Sequence, residues 1–133
     1  MTSPVCFLDS SAVTKLVVAE AESAELLARL SGCRLVGSGL LVPEVSRAVR
    51  RVHGRERDDV LAEVLSLIDL VAVDRAVLSH AADVAPPALR THDAVHLVSA
   101  LLIGRRLEAF ITYDERLLAA ARQADLPVEQ PGR

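Results

Sequence analysis

Four acidic residues stand where the chain passes from an apolar run into a helix-like segment: Asp9, Glu44, Asp93 and Asp114. Asp9 directly follows the apolar run Val5–Leu8. Glu44 and Asp93 fall in the first turns of their helices, and Asp114 comes two residues after a late apolar run. Each alone has an ordinary explanation, since a carboxylate in a first helical turn complements the macrodipole and Asp114 is a good helix cap. Together they point further. Carboxylates gathered at one edge repel one another unless a cation sits among them. Oxygen-only ligation suits Mg²⁺ or Mn²⁺, and no Cys/His set is spaced for zinc. His92 and His96 flank Asp93 but lack the H-E-x-x-H pattern, so His96 is expected to pack or bond within its own helix. Glu20, Glu22, Glu25, Asp58, Asp59 and Glu63 are expected on solvated helix faces.

The elements that position the four acids can be read from the pattern. Val5–Leu8 is continuously apolar, as a strand buried on both faces is. Further strands are predicted at 35–37, 70–73 and 109–112, with a last edge strand at 127–129. Helices are predicted over 12–19, 21–30, 44–52, 56–67, 76–84, 93–103 and 115–124. Pro43 suits a first helical position, and Asp74, Thr91 and Asp114 read as caps. Strands alternating with helices imply a parallel sheet covered on both faces. The expected fold is a three-layer α/β/α sandwich, in one domain spanning 1–133, with a mostly parallel sheet of four to five strands. Ligands of such sheets bind beyond the carboxyl ends of the strands, which is where the four acids fall.

Bulk composition narrows the class. A chain of 133 residues, 51% hydrophobic and 25% charged, has a packed core and is not disordered. Phe7, Phe110 and Tyr113 are the only aromatics, too few for a platform that stacks bases. The net charge of −3 gives no bulk signal for nucleic acid. With four of the eighteen acids assigned to a cation, however, fourteen remain against fifteen basic residues. Fourteen of those fifteen are Arg, which suits phosphate contacts. Arg47, Arg50 and Arg51 share a helix face near Glu44, and Arg90 and Arg116 flank the last two acids. All five are candidates for gripping phosphates. Lys15, further along the helix after Asp9, is expected to snorkel. Cys6 and Cys33 read as buried free thiols. No leader pattern and no apolar run of membrane-spanning length is present, so a cytoplasmic protein is expected.

At this point the residues carry a resemblance. Phe7-Leu8-Asp9-Ser10-Ser11-Ala12-Val13-Thr14-Lys15-Leu16 resembles the opening of PIN domains, specifically of VapC-type toxins. Val42-Pro43-Glu44-Val45-Ser46-Arg47-Ala48 resembles the second acidic motif of that family. Leu89-Arg90-Thr91-His92-Asp93-Ala94-Val95-His96-Leu97 resembles the third, and Ile111-Thr112-Tyr113-Asp114-Glu115-Arg116-Leu117 the fourth. The motifs run in the family's order over nearly the whole chain. Two departures touch only loops: no Pro follows the first helix, and Asp125 stands where Gly is common.

The resemblance implies a metal-dependent endoribonuclease that hydrolyses RNA phosphodiesters. Asp9 and Asp93 would be direct ligands of Mg²⁺ or Mn²⁺, with Glu44 and Asp114 completing the cage directly or through water. Ser10 and Thr112 would support metal-bound water or a carboxylate. A small VapB-like antitoxin and a homodimer are implied as well, with the apolar helical region 21–67 as a source of such surfaces. Rival readings are weaker. Haloacid-dehalogenase phosphatases want D-x-D, whereas Ser11 follows Asp9 by two; receiver domains want a Lys after a late strand, and 109–114 has none. A non-catalytic RNA- or protein-binding module, or an RNA-processing nuclease that is not a toxin, remain the alternatives.

Overall fold

The computed structural model describes residues 3–133; Met1 and Thr2, which begin the stretch read as lacking a leader, lie outside the described residues. The elements run β1 (Val5–Leu8), α1 (Ser10–Val17), α2 (Ser23–Leu30), β2 (Arg34–Ser38), α3 (Leu41–His53), α4 (Asp58–Ser66), β3 (Asp69–Val71), α5 (Arg75–Asp83), α6 (Thr91–Leu101), β4 (Leu107–Ile111), α7 (Glu115–Gln123) and β5 (Val128–Glu129). The strands form one parallel sheet in the order β3-β2-β1-β4-β5. The chain therefore travels outward from β1 to β3, crosses back to β4 and continues to β5. Parallel crossovers are right-handed, so reversing the direction of travel puts the helices on opposite faces.

The core clusters show this division. Cys6, Leu8, Ala109 and Ile111 pack with Ala12, Val13, Leu26, Leu41, Val45 and Leu61 of α1–α4. Val5, Phe7, Val36 and Phe110 pack against Leu97 and Ala100 of α6 and Leu117 and Ala121 of α7. Successive residues of β1 thus serve opposite layers, and the run reads as continuously apolar because neither face meets water. Phe7 and Phe110 stack with ring centroids 5.3 Å apart, tying the two central strands. The reversal between β1 and β4 opens a crevice at their carboxyl ends, where the loops diverge.

Some boundaries differ from expectation for identifiable reasons. The helix carrying Glu44 begins at Leu41, so Pro43 is its third residue. Leu41 is fully buried, and starting the helix early inserts it into the core; Pro43 still loses nothing, because a third N–H in a helix has no intrahelical acceptor. Thr91 is the first residue of α6 and no cap; Arg90 occupies the cap position with extended backbone and no side-chain bond. β3 stops at Val71 because it pairs with Val36, Gly37 and Ser38, and β2 ends there. Asp125 has a φ of 62°, the left-handed conformation that explains why Gly is common at that point. No helix among the described residues is long and apolar enough to cross a membrane.

Gly37 sets the approach of α3 to the sheet. A Cβ there would drive into the Leu41 side chain and lie 3.0 Å from the Leu8 carbonyl oxygen. Gly37→Ala is expected to destabilise the protein by about 1–3 kcal/mol through overpacking, read as a lower denaturant midpoint with unchanged slope.

Candidate metal centre

Asp9 ends β1 and caps α1, and its carboxylate is 3% exposed. Oδ1 accepts from the Ala12 amide at 3.0 Å and from the Ser11 hydroxyl at 2.6 Å. Oδ2 accepts from the Thr112 hydroxyl at 2.5 Å. Thr112 in turn accepts from the Asp114 amide at 3.1 Å, and Ser11 from the Tyr113 amide at 2.8 Å. These two hydroxyls stitch the β1–α1 turn to the β4–α7 turn across the reversal in the sheet. Burial pushes the Asp9 pKa up, against the pull of its three hydrogen bonds. Thr112 stands beside the first acid, where the sequence places a supporting hydroxyl. The part played by Ser11 is not legible in the sequence, because two adjacent serines in a first helical turn give no sign of which one turns back.

Glu44, in the first turn of α3, is held differently. Its Oε1 accepts from Ser10 Oγ at 2.7 Å and from His96 Nε2 at 2.6 Å. Burial alone would raise its pKa, yet the bonds from His96 and Ser10 outweigh that and the net shift is downward. His96 packs as expected, being 1% exposed, but its hydrogen bond is not within its own helix: it bridges from α6 to α3. The helix buries that ring, and a partner 52 positions away is visible only once the topology is known.

Asp93 is 6% exposed, and no described residue donates a hydrogen bond to its carboxylate. His92 Nε2 stands 3.5 Å from Oδ1. Burial raises the Asp93 pKa; His92 and His96 oppose the rise, and the charges of Asp114 and Glu44 add to it. Asp114 caps α7 through Oδ1, which accepts from the Leu117 amide at 3.0 Å. Burial strips this carboxylate of most of its water while its oxygens still open to solvent, and facing two further acids it is disfavoured as an anion. A hard divalent cation offsets such crowded negative charge, and the atoms that the four acids offer it are carboxylate oxygens. The four acids do not close to mutual ligand distances: the one trio among the described residues whose ligand atoms all lie within 4.8 Å is Cys6, Cys33 and Glu108.

That trio belongs to the opposite ends of the strands. Cys6 and Cys33 are both free thiols with sulfurs 3.1 Å apart; Cys6 is buried as expected, whereas Cys33 is only half-buried, and burial pushes the Cys6 thiol up to about 12. Arg29 already neutralises the spot, bonding to Glu108 and Glu129 and lying 3.7 Å from Cys33. Two other expectations need correction. Glu22 is not solvated: it is 9% exposed, bonded to Lys15 at 3.0 Å and to Arg133 at 2.7 Å. Lys15 does not snorkel; it is 6% exposed and lies over the Tyr113 ring. Among the arginines, Arg47, Arg51, Arg90 and Arg116 are exposed, whereas Arg50 is half-exposed and engaged by Asp58 at 2.9 Å.

A five-stranded parallel sheet with acids at the carboxyl ends of its central strands, covered by helices on both faces, defines a PIN-like fold. No family model matches the chain. Curated relatives do. The chain is 39% identical over 127 residues to ribonuclease VapC46, 38% over 132 to ribonuclease VapC35 and 34% over 131 to ribonuclease VapC47, all of Mycobacterium tuberculosis. These matches cover 94–96% of this chain and 96–97% of each relative. Among solved structures it superposes on VapC20 of M. tuberculosis, described as a sarcin-ricin loop cleaving toxin. The TM-score is 0.69 and the identity 16%, over 86% of this chain and 94% of that one. It also superposes on a chain of the Rickettsia felis VapBC2 complex bound to a promoter DNA fragment. There the TM-score is 0.72 and the identity 11%, over 96% and 98% of the two chains. The chain belongs to the VapC ribonuclease family.

Proposed function

We propose that this chain is the toxin of a toxin–antitoxin pair, an endoribonuclease that acts as one cytoplasmic domain. It hydrolyses RNA phosphodiesters with Mg²⁺ or Mn²⁺ held among Asp9, Glu44, Asp93 and Asp114. The observation that carries the reading is Asp93: a buried carboxylate with no donor, set beside Asp114 and Glu44 at the reversal of the sheet. Asp9 and Asp93 are the direct ligands in this reading. Glu44 and Asp114 complete the shell directly or through water. A divalent cation there supplies Lewis acidity, activates a water at neutral pH and neutralises charge on the phosphate. Ser11 and Thr112 fix the orientation of Asp9. Arg47 and Arg51, three and seven residues after Glu44, lie on the helix side that Glu44 occupies and grip phosphates; Arg90 and Arg116 do so from the flanks. Arg50, held by Asp58, contributes least of the five.

The test is cleavage of total cellular RNA with Mg²⁺ or Mn²⁺ and with EDTA, beside Asp9→Asn. Metal-dependent cleavage by the wild type and its loss in the variant are expected. A folded, antitoxin-free wild type that cuts nothing would favour a binding module instead.

An antitoxin has a surface to take. An apolar groove of about 380 Å³ runs between α1, α2 and α4, lined by Leu16, Leu27, Leu30, Leu35, Val64 and Leu67. Leu27 and Leu67 are 66% and 65% exposed. An amphipathic helix fits such a groove. Leu67→Asp is expected to weaken antitoxin binding at least ~100-fold and leave RNA cleavage unchanged, as read by calorimetry and gel assay. For the homodimer, Leu101 and Leu102 line a second apolar cleft with Val84 and Val98, where the end of α6 meets the end of α5.

A further inference from the structure

Glu44 is not free in how it faces a cation. Its Oε1 lies 2.6 Å from His96 Nε2 and 2.7 Å from Ser10 Oγ. A carboxylate oxygen is an acceptor, so when the ring carries one proton that proton sits on Nε2 and points at Oε1. The Ser10 hydroxyl donates to the same atom. Two bonds fill the two lone-pair sites of Oε1. Oε2 receives no hydrogen bond from any described residue. His96 is itself locked: it is 1% exposed on α6, and its Nδ1 is buried with no partner among the described residues. A core position that needed only volume would be filled by Leu or Met without an unsatisfied nitrogen. The cost of Nδ1 is explained if Nε2 has a task.

We infer that His96 and Ser10 are positioning residues that commit Glu44 Oε1 to hydrogen bonding and leave Oε2 as the single oxygen Glu44 offers to the cation. This rests on the divalent site proposed above and deepens it. Glu44 is then a one-oxygen ligand, or the acceptor of one coordinated water, and cannot chelate with both oxygens. Orientation of a ligand by an outer hydrogen bond is a general property of metal sites. Here the orienting groups come from the helix that carries Asp93 and from the turn that carries Asp9, so all three acids are aligned together.

The experiment is Mn²⁺ titration by calorimetry on the wild type, His96→Leu, His96→Gln, Ser10→Ala and Asp93→Asn, with imidazole ¹H–¹⁵N spectra of the metal-free wild type. The spectra are expected to show His96 protonated at Nε2. His96→Leu is expected to weaken Mn²⁺ about 10–100-fold, and His96→Gln, whose amide nitrogen reaches the same oxygen, to recover affinity to within roughly threefold. Ser10→Ala is expected to lose less than His96→Leu. A His96→Leu variant that keeps its circular dichroism and binds Mn²⁺ like the wild type would overturn the inference. So would a wild-type ring bare at Nε2. If His96→Leu does not fold, the other two variants decide. Full affinity in Ser10→Ala with a 10–100-fold loss in His96→Gln would overturn the inference, and the reverse pattern would support it. Wild-type Mn²⁺ binding that Asp93→Asn abolishes upholds the divalent site whatever His96 does; its absence removes both.

Discussion

Asp93→Asn is expected to lower RNA cleavage about 10³-fold, beyond the roughly 10–100-fold that loss of an outer partner costs, while making the metal-free protein more stable. The two effects have one cause. Asp93 is buried, takes no hydrogen bond from the described residues and is pushed toward protonation by burial and by Asp114 and Glu44. The amide keeps its shape and removes the charge, which is worth about 1 kcal/mol in the absence of cation. For a domain of this size that is a rise of roughly 3–5 °C in the unfolding midpoint with EDTA. Excess Mn²⁺ should invert the order, because binding at about a hundredfold over Kd adds roughly 2.7 kcal/mol to the wild type alone.

The pH dependence carries the same sign. Asp9 and Asp93 have folded pKa values raised above the ordinary 3.8. A raised acid favours the folded state below its unfolded pKa, and that contribution is lost as pH rises through the folded value. The metal-free wild type should therefore give up stability above pH ~4 relative to Asp93→Asn, and metal should restore it. Parallel thermal melts of the two proteins with EDTA, from pH 4 to 7, check this. A gap that does not widen as pH rises would refute the assignment of Asp93 as an acid whose charge is disfavoured by burial and by its acidic neighbours.

Much of this site is legible in the sequence because its acids are also local signals. A buried strand is a continuous apolar run, and an aspartate at its end is a helix cap, so Asp9 and Asp114 announce themselves by short-range chemistry. Asp9, Asp74 and Asp114 all do cap the helices that follow. What escapes is whatever depends on two elements meeting. The bond of His96 to Glu44 joins α6 to α3, and Ser11 reaches Tyr113 over 102 positions. Neither has a spacing that periodicity detects. Glu22 departs from expectation for a related reason. A glutamate at the start of a helix is normally solvated, and only the return of the chain end over α1 and α2 brings Arg133 to cover it.

Lys15→Ala is expected to destabilise the protein by about 3 kcal/mol, the scale of losing one partner of a buried ion pair, or roughly 9–15 °C in the melt. Lys15 is 6% exposed, bonds Glu22 at 3.0 Å and Glu20 at 3.1 Å, and its ammonium lies 4.7 Å from the centroid of the Tyr113 ring. Arg133 lies over the same ring, with its guanidinium carbon 5.3 Å from the centroid, and bonds Glu22 as well. Arg133 and Lys15 hold the Glu22 carboxyl down at a pKa of about 2. That lowering favours the folded state above the ordinary value of 4.5, and the contribution is lost as pH falls through about 2. Lys15→Ala should accordingly shift acid unfolding to higher pH. The consequence reaches the chemistry, because Tyr113 separates Thr112 from Asp114. Its amide bonds Ser11, and its hydroxyl donates to the Pro131 carbonyl at 2.7 Å. Removing the ammonium beneath the ring loosens the turn that aligns two of the four acids. Cleavage should fall more than the folded fraction does, measured at a temperature where both proteins are folded. A Lys15→Ala protein with wild-type cleavage there would make the ion pair purely a support of stability.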